Sequence, residues 1–188
     1  VRRPGAADMS RPPTSADVDA ALAFIRPHLP ATPLVRSEGL SAVLGCDYTV
    51  KCENLQPIGA FKVRGGLFLI SRLALEHRRA GVVTASTGNH GQSVAFASQL
   101  LDVRATIVVP EGNAEGKNRA MKAFGADLVI DGRDFDISRR TAERLSRESG
   151  FLMVPSFHRN IVLGVATYAL EFFRAHDDLD VVYVPVGM

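Results

Sequence analysis

From Gly59 onward the chain alternates between two hydrophobic periods, and this alternation constrains the fold more than any other feature. Period-3.6 stretches predict helices over 62–79, 89–101, 114–124, 135–148 and 161–175. Between them, short apolar runs predict strands over 81–85, 105–109, 127–130, 151–154 and 181–184. Strands separated by single helices and short Gly/Pro/Asp turns imply βαβ units, hence an α/β fold with a mostly parallel sheet. Upstream, Thr14 or Ser15 can cap a helix over 16–28 that Pro27 and Pro30 end. An extended segment over 32–36, a helical turn over 40–44 stopped by Gly45, and a strand over 48–52 complete the pattern.

Composition removes several function classes. The 188 residues suffice for one domain with a sizeable core, or one domain and part of another. A net charge of +2 gives no basic field for nucleic acid. No run has the length and apolarity of a membrane span. Cys46 and Cys52 match no metal-ligand spacing and read as reduced thiols of a cytoplasmic protein. Residues 1–15 lack an apolar stretch and read as a solvated extension in which Met9 can be the start.

Two segments carry chemistry. The first is KCENLQPIGAFKVRGG over 51–66, which sets Lys62 after Phe61 and before a basic, glycine-ended turn. An amine removed from water gives up its proton more readily, and only a neutral amine adds to a carbonyl. The second is ASTGNHGQSVA over 85–95, a strand end, a turn of small polar residues and a helix start. Free N–H groups there, with the helix dipole, favour an anion. The turn GNHG lacks the G-x-G-x-x-G spacing of a dinucleotide site. There are only four lysines. Lys51 falls in a strand, and Lys117 and Lys122 share a helix with Arg119 in the pattern of a solvent face. The amine chemistry therefore falls to Lys62, and the other three are expected to be structural. Plain readings stand beside these: Lys62 as a helix-start lysine paired with Glu53, Phe61 as a core ring, and Ser86 or Thr87 as a helix cap.

Together with IVVPEGN over 107–113, KNRAMKAFGADLV over 117–129 and VYVPVG over 182–187, these segments resemble the fold-type II pyridoxal-phosphate enzymes, and within them the threonine/serine dehydratases. The resemblance covers nearly the whole chain from Thr32. It implies a tryptophan-synthase-β-like α/β fold of two open parallel sheets with pyridoxal 5'-phosphate between them. Residues 55–157 would be the small domain, and 16–54 with 158–188 a truncated part of the large one. Only Gly187 of the family's glycine-rich phosphate loop is present, so the chain reads as an N-terminal fragment.

The resemblance also assigns roles. Lys62 would hold the cofactor as a Schiff base and afterwards serve as the base that removes the substrate α-proton, with Phe61 beside the cofactor. Asn89 would hydrogen-bond the cofactor's phenolic oxygen. Ser86, Thr87, Gly88 and His90 would line the substrate carboxylate site. The implied reaction dehydrates and deaminates threonine or serine to a 2-oxo acid and ammonia, in an enzyme that is a homo-oligomer when intact. At the position of Thr87, dehydratases often have alanine and racemases a serine that carries a second proton. A hydroxyl there leaves serine racemase as an alternative, beside a hydroxyectoine-pathway dehydratase and an inactive remnant lacking the phosphate loop. Ile58, where small residues are commoner, would alter packing only. Arg64 is expected in a structural salt bridge, and around Gly164 and Thr167 the segment has less glutamine and glycine than the family, so the resemblance leaves a cofactor contact there open. His28, His77 and His176 fit no ligand spacing, and Asp177, Asp178 and Asp180 read as a turn.

Overall fold

The computed structural model describes residues 11–176 and 178–185. Helix α1 (Ser15–Ile25) opens with a capping box: Thr14 Oγ1 accepts the Asp17 N–H, and the Asp17 carboxylate accepts the Thr14 N–H. Strand β1 (Leu34–Arg36) pairs antiparallel with β2 (Thr49–Lys51), and between them α2 (Glu38–Leu44) ends on Gly45 at φ 69°. A 3-10 turn over Glu53–Leu55 then leads to α3 (Lys62–Ser71), which begins at the lysine of the first motif.

The rest is the alternating pattern: α4 (Leu75–Ala80), β3 (Val82–Ala85), α5 (Asn89–Leu100), β4 (Ala105–Val109), α6 (Glu115–Ala123), β5 (Asp127–Ile130), α7 (Phe135–Ser149), β6 (Leu152–Met153) and α8 (Arg159–Ala175). The four later strands form a parallel sheet in the order β5-β4-β3-β6. Strands β3 and β4 are buried along their whole length because both faces are covered. On one face Val82, Ala105, Ile107 and Val109 join the main core with Val63, Leu67, Ile70 and Val94 from α3 and α5. On the other, Val83, Ala85 and Val108 pack on Ala142 and Leu145 of α7.

Two helix contacts set the positions that matter for function. Helix α3 lies between α5 and α8, and glycines allow the approach. A Cβ on Gly66 would sit 2.1 Å from Ser93 Oγ, and one on Gly164 would sit 2.4 Å from the Arg64 carbonyl oxygen. The neighbourhood of Arg64 is charged and closed. Its guanidinium, 0% exposed, donates to both Glu53 oxygens at 2.8 Å and to Glu171 at 2.9 and 3.2 Å. Lys51 Nζ adds a 2.7 Å bond to Glu171, and Thr32 Oγ1 a 2.6 Å bond to Glu53. Burial opposes the charge on Arg64, but its bonds to Glu53 and Glu171 outweigh that and raise its pKa. The same pairing holds Glu171 below the ordinary carboxylate range despite burial. Arg64 and Lys51 are thus structural, as expected.

The structure departs from the sequence reading in two elements. The helix expected over 62–79 is two. After Ser71 the chain tightens, with the Ser71 hydroxyl donating to the Phe68 carbonyl and Arg72 lying over the Phe68 ring, before α4 begins at Leu75. The strand expected over 181–184 does not form. No strand among the described residues pairs with it, and Val181 and Tyr183 are exposed. A β-prone segment becomes a strand only when a neighbour accepts its ladder.

Candidate active site

In the parallel sheet, successive connections run from β3 to β4 to β5, after which the chain returns to the other side of β3 as β6. The order reverses between β3 and β6, and ligands of open α/β sheets bind outside the strand carboxyl ends at such a point. The turn Ser86–His90 leaves β3 there. Ser86 Oγ accepts the N–H groups of Gly91 at 2.8 Å and Gly88 at 3.3 Å, which fixes the turn. The first N–H groups of α5 have no acceptor within the helix and point out of its end. A Cβ on Gly88 would meet nothing within 4 Å, so the turn faces open space. Thr87 is exposed; Gly88, Asn89 and His90 are half-buried.

Lys62 starts α3 and is half-buried. Its carbonyl accepts a 2.6 Å bond from Ser93 Oγ, which ties the lysine's backbone to α5 one turn beyond Asn89. His90 comes close enough to Lys62 for charge to be felt between them. Burial first, and then the Lys62 charge, lower the His90 pKa to about 4, against a backbone hydrogen bond at Val154 that raises it. His90 Nε2 is buried with no partner. A neutral imidazole bonded at one nitrogen carries a lone pair at the other. The Phe61 ring, beside Lys62, packs at a tilt against Tyr168 of α8, with centroids 5.3 Å apart and planes 40° from parallel. Burial, and then the nearby Glu53, raise the Tyr168 pKa.

The structure thus gathers Phe61, Lys62, Ser86, Gly88, Asn89 and His90 about the helix starts of α3 and α5. Gly187 lies outside the described residues, as does Asp177. Thr167 accepts from Arg64 and donates to the Gly164 carbonyl, so both residues serve the α3–α8 contact. His158 caps α8, its Nδ1 accepting from the Asn160 N–H. Cys46 and Cys52 are unpaired thiols, and no group of three or more metal-binding side chains occurs among the described residues. No helix among them is long and apolar enough to cross a membrane.

Lys117 departs from expectation. It does not lie on a solvent face: its Nζ donates to Asn89 Oδ1 at 2.7 Å. Lys117 stands four residues before the buried Met121 and shares its helix face, which the charged pattern of α6 does not reveal. Gln92, one turn into α5, also donates to Asn89 Oδ1, at 3.3 Å.

A parallel α/β sheet with a lysine-headed helix held against an asparagine turn at the switch point defines a class of cofactor-dependent enzyme. The chain belongs to the pyridoxal-phosphate dependent enzyme family, whose model matches residues 25–188. It is 42% identical over 157 residues to the biosynthetic L-threonine dehydratase IlvA of Escherichia coli, which covers 83% of this chain and 30% of that protein. Among solved structures it resembles the processed form of threonine deaminase isoform 2 from Solanum lycopersicum, with a TM-score of 0.79, 34% identity, and coverage of 89% of this chain and 50% of that one. Maize serine racemase is also similar, with a TM-score of 0.83, 30% identity, and coverage of 88% and 50%. The chain therefore spans from under a third to about half of the length of these relatives.

Proposed function

We propose that the protein carrying this chain dehydrates and deaminates a β-hydroxy amino acid, threonine or serine, to a 2-oxo acid and ammonia. The observation that supports this reading is the bond from Ser93 of α5 to the Lys62 carbonyl, which holds the start of α3, where the half-buried Lys62 lies, against the helix that follows the asparagine turn. The residues present suit pyridoxal phosphate: an amine for its aldehyde, an amide for its phenolic oxygen, and a buried, unpartnered imidazole nitrogen. When bound, that group supplies an electron sink for the bond broken at the substrate α-carbon.

The chain's own residues then have distinct tasks. Lys62 would hold the cofactor through Nζ, and the same amine, when free, would take the substrate α-proton. The Ser86–His90 turn binds the substrate carboxylate through first-turn N–H groups, with Thr87 at its exposed edge and Ser86 holding its shape. Asn89 would present its amide to the phenolic oxygen, Phe61 would lie beside the cofactor, and Gly187 would contribute to its phosphate site. Water leaves as the β-hydroxyl departs, and water returns when the resulting enamine tautomerises and is hydrolysed to 2-oxo acid and ammonia. In this reading residues 55–157 form the small domain, 16–54 and 158–188 contribute to the large one, and the enzyme is a cytoplasmic homo-oligomer.

The exposed Thr87 hydroxyl and the similarity to maize serine racemase support a second reading, in which Thr87 returns a proton to the opposite face of the α-carbon. The test uses the full-length protein loaded with pyridoxal phosphate. Visible absorbance lost in Lys62→Ala, with 2-oxo acid formed from threonine or serine, is expected. Wild-type protein that forms no 2-oxo acid from either substrate sinks the dehydratase reading, and D-serine formed from L-serine instead selects the racemase.

A further inference from the structure

We propose that Lys117 is a positioning residue that fixes which end of the Asn89 amide faces the site; this rests on the cofactor reading above. An amide side chain has two ends, and the turn alone does not choose between them. Lys117 makes the choice. An ammonium has no acceptor, so the Asn89 atom 2.7 Å from Lys117 Nζ must be the oxygen. The Gln92 amide donates to the same oxygen at 3.3 Å. With its oxygen engaged from α6 and from within α5, Asn89 can offer the site only its N–H. An N–H donor there stabilises an anionic phenolic oxygen, whereas the reversed amide would repel it.

The packing holds the lysine in place. Lys117 and Met121 lie on the same face of α6, and Met121 is fully buried against Gly91, where a Cβ would come within 2.9 Å of the Met121 methyl. The Asn113 amide donates to Asn118 Oδ1 at 2.6 Å and fixes the start of the same helix. The positive charge of Lys117 thus reaches the Asn89 turn from a separate element, while Lys62 reaches it from α3.

The prediction concerns where one proton rests. Held by the Asn89 N–H, the phenolic oxygen stays anionic and the lysine-bound cofactor absorbs in the visible. Without that donor the proton moves onto the oxygen and absorbance passes to the near-ultraviolet band. The experiment takes the full-length protein with pyridoxal phosphate and compares wild type, Lys117→Met and Lys117→Arg, with far-ultraviolet circular dichroism and melting temperature as checks on folding. Lys117→Met is expected to lose visible absorbance in favour of the near-ultraviolet band and to bind the cofactor about tenfold more weakly. Lys117→Arg, which still donates, is expected to keep most of the wild-type band ratio. If Lys117→Met fails to fold, Lys117→Ala, which also removes the donor, carries the same comparison. A wild-type band ratio and affinity in a folded Lys117→Met overturns the positioning role alone. A wild type with no visible band overturns the cofactor reading, and the positioning role with it.

Discussion

The hydroxyl of Ser93 donates to the carbonyl of Lys62 at 2.6 Å, and this bond joins the two helix starts from which the site is built. Ser93→Ala is expected to cost about 1 kcal/mol of stability. It should weaken cofactor binding more than an alanine elsewhere on α5, because Lys62 loses its fixed distance from Asn89. Gly66→Ala is expected to be worse, and the double variant should not recover. Even without the hydroxyl, the added Cβ would stand 2.9 Å from the Ser93 carbonyl oxygen. Urea unfolding and cofactor titration of the three variants check this.

The contact between α3 and α8 has no slack. A Cβ added at Gly164 would lie 2.4 Å from a backbone oxygen and 2.8 Å from the Gly65 Cα, and neither can rotate away. Gly164→Ala is therefore expected to lose at least ~2 kcal/mol. Gly116→Ala, whose Cβ would meet nothing within 4 Å, should lose nothing. Chemical denaturation of both gives the comparison.

Removing the Arg64 guanidinium would leave Glu53 and Glu171 facing each other in a closed space. Arg64→Met is expected to destabilise by about 3–5 kcal/mol. Adding Glu53→Gln should recover part of the loss, since Glu53 then keeps only the Thr32 hydroxyl while Glu171 still has Lys51. A double-mutant cycle by urea unfolding measures the coupling.

His90 gives stability a pH dependence of known sign. Its folded pKa of about 4 lies below the ordinary 6.5, so between these values the unfolded chain binds more protons than the folded one. Stability should fall as pH drops from 6.5 towards 4, by roughly 3 kcal/mol for this one group, and stop falling on its account below that. Glu171, whose folded pKa is depressed, contributes stability that is lost at lower pH, as its own carboxylate is protonated. The two are separable: His90→Gln should flatten the upper part of the curve and leave the lower part. Thermal melts of wild type and variant across pH 4 to 7 show whether it does.

The fold was legible where local pattern and tertiary demand agreed. The run Ala105–Val109, bounded by Arg104 and Pro110, forms β4 over the expected residues because a buried central strand tolerates only such a run. The break after Ser71 was not legible, since the residues from Ser71 to Ala80 have ordinary helix propensity and the turn is made by contacts with Phe68. Residues 181–184 fail for the opposite reason: their propensity is strong but no strand pairs with them among the described residues. At the site, Lys62 and the asparagine turn were visible because their chemistry lies in contiguous residues. By pattern alone Lys117 groups with the charged residues of α6. Its partner lies 28 residues away, and only the packing of Met121 on Gly91 turns that face inward.

The closed group around Arg64 also bears on how the chain is made. Arg64 and Glu53 emerge early from a ribosome, but Glu171 follows more than a hundred residues later. Until then the guanidinium holds one carboxylate and lacks the other, and α3 has no α8 to lie against. The helix that begins with Lys62 packs on α5 before then and gains its α8 contacts only afterwards. The setting of the reactive amine thus depends on a segment made more than a hundred residues after it, a long-range contact that local structure alone does not supply.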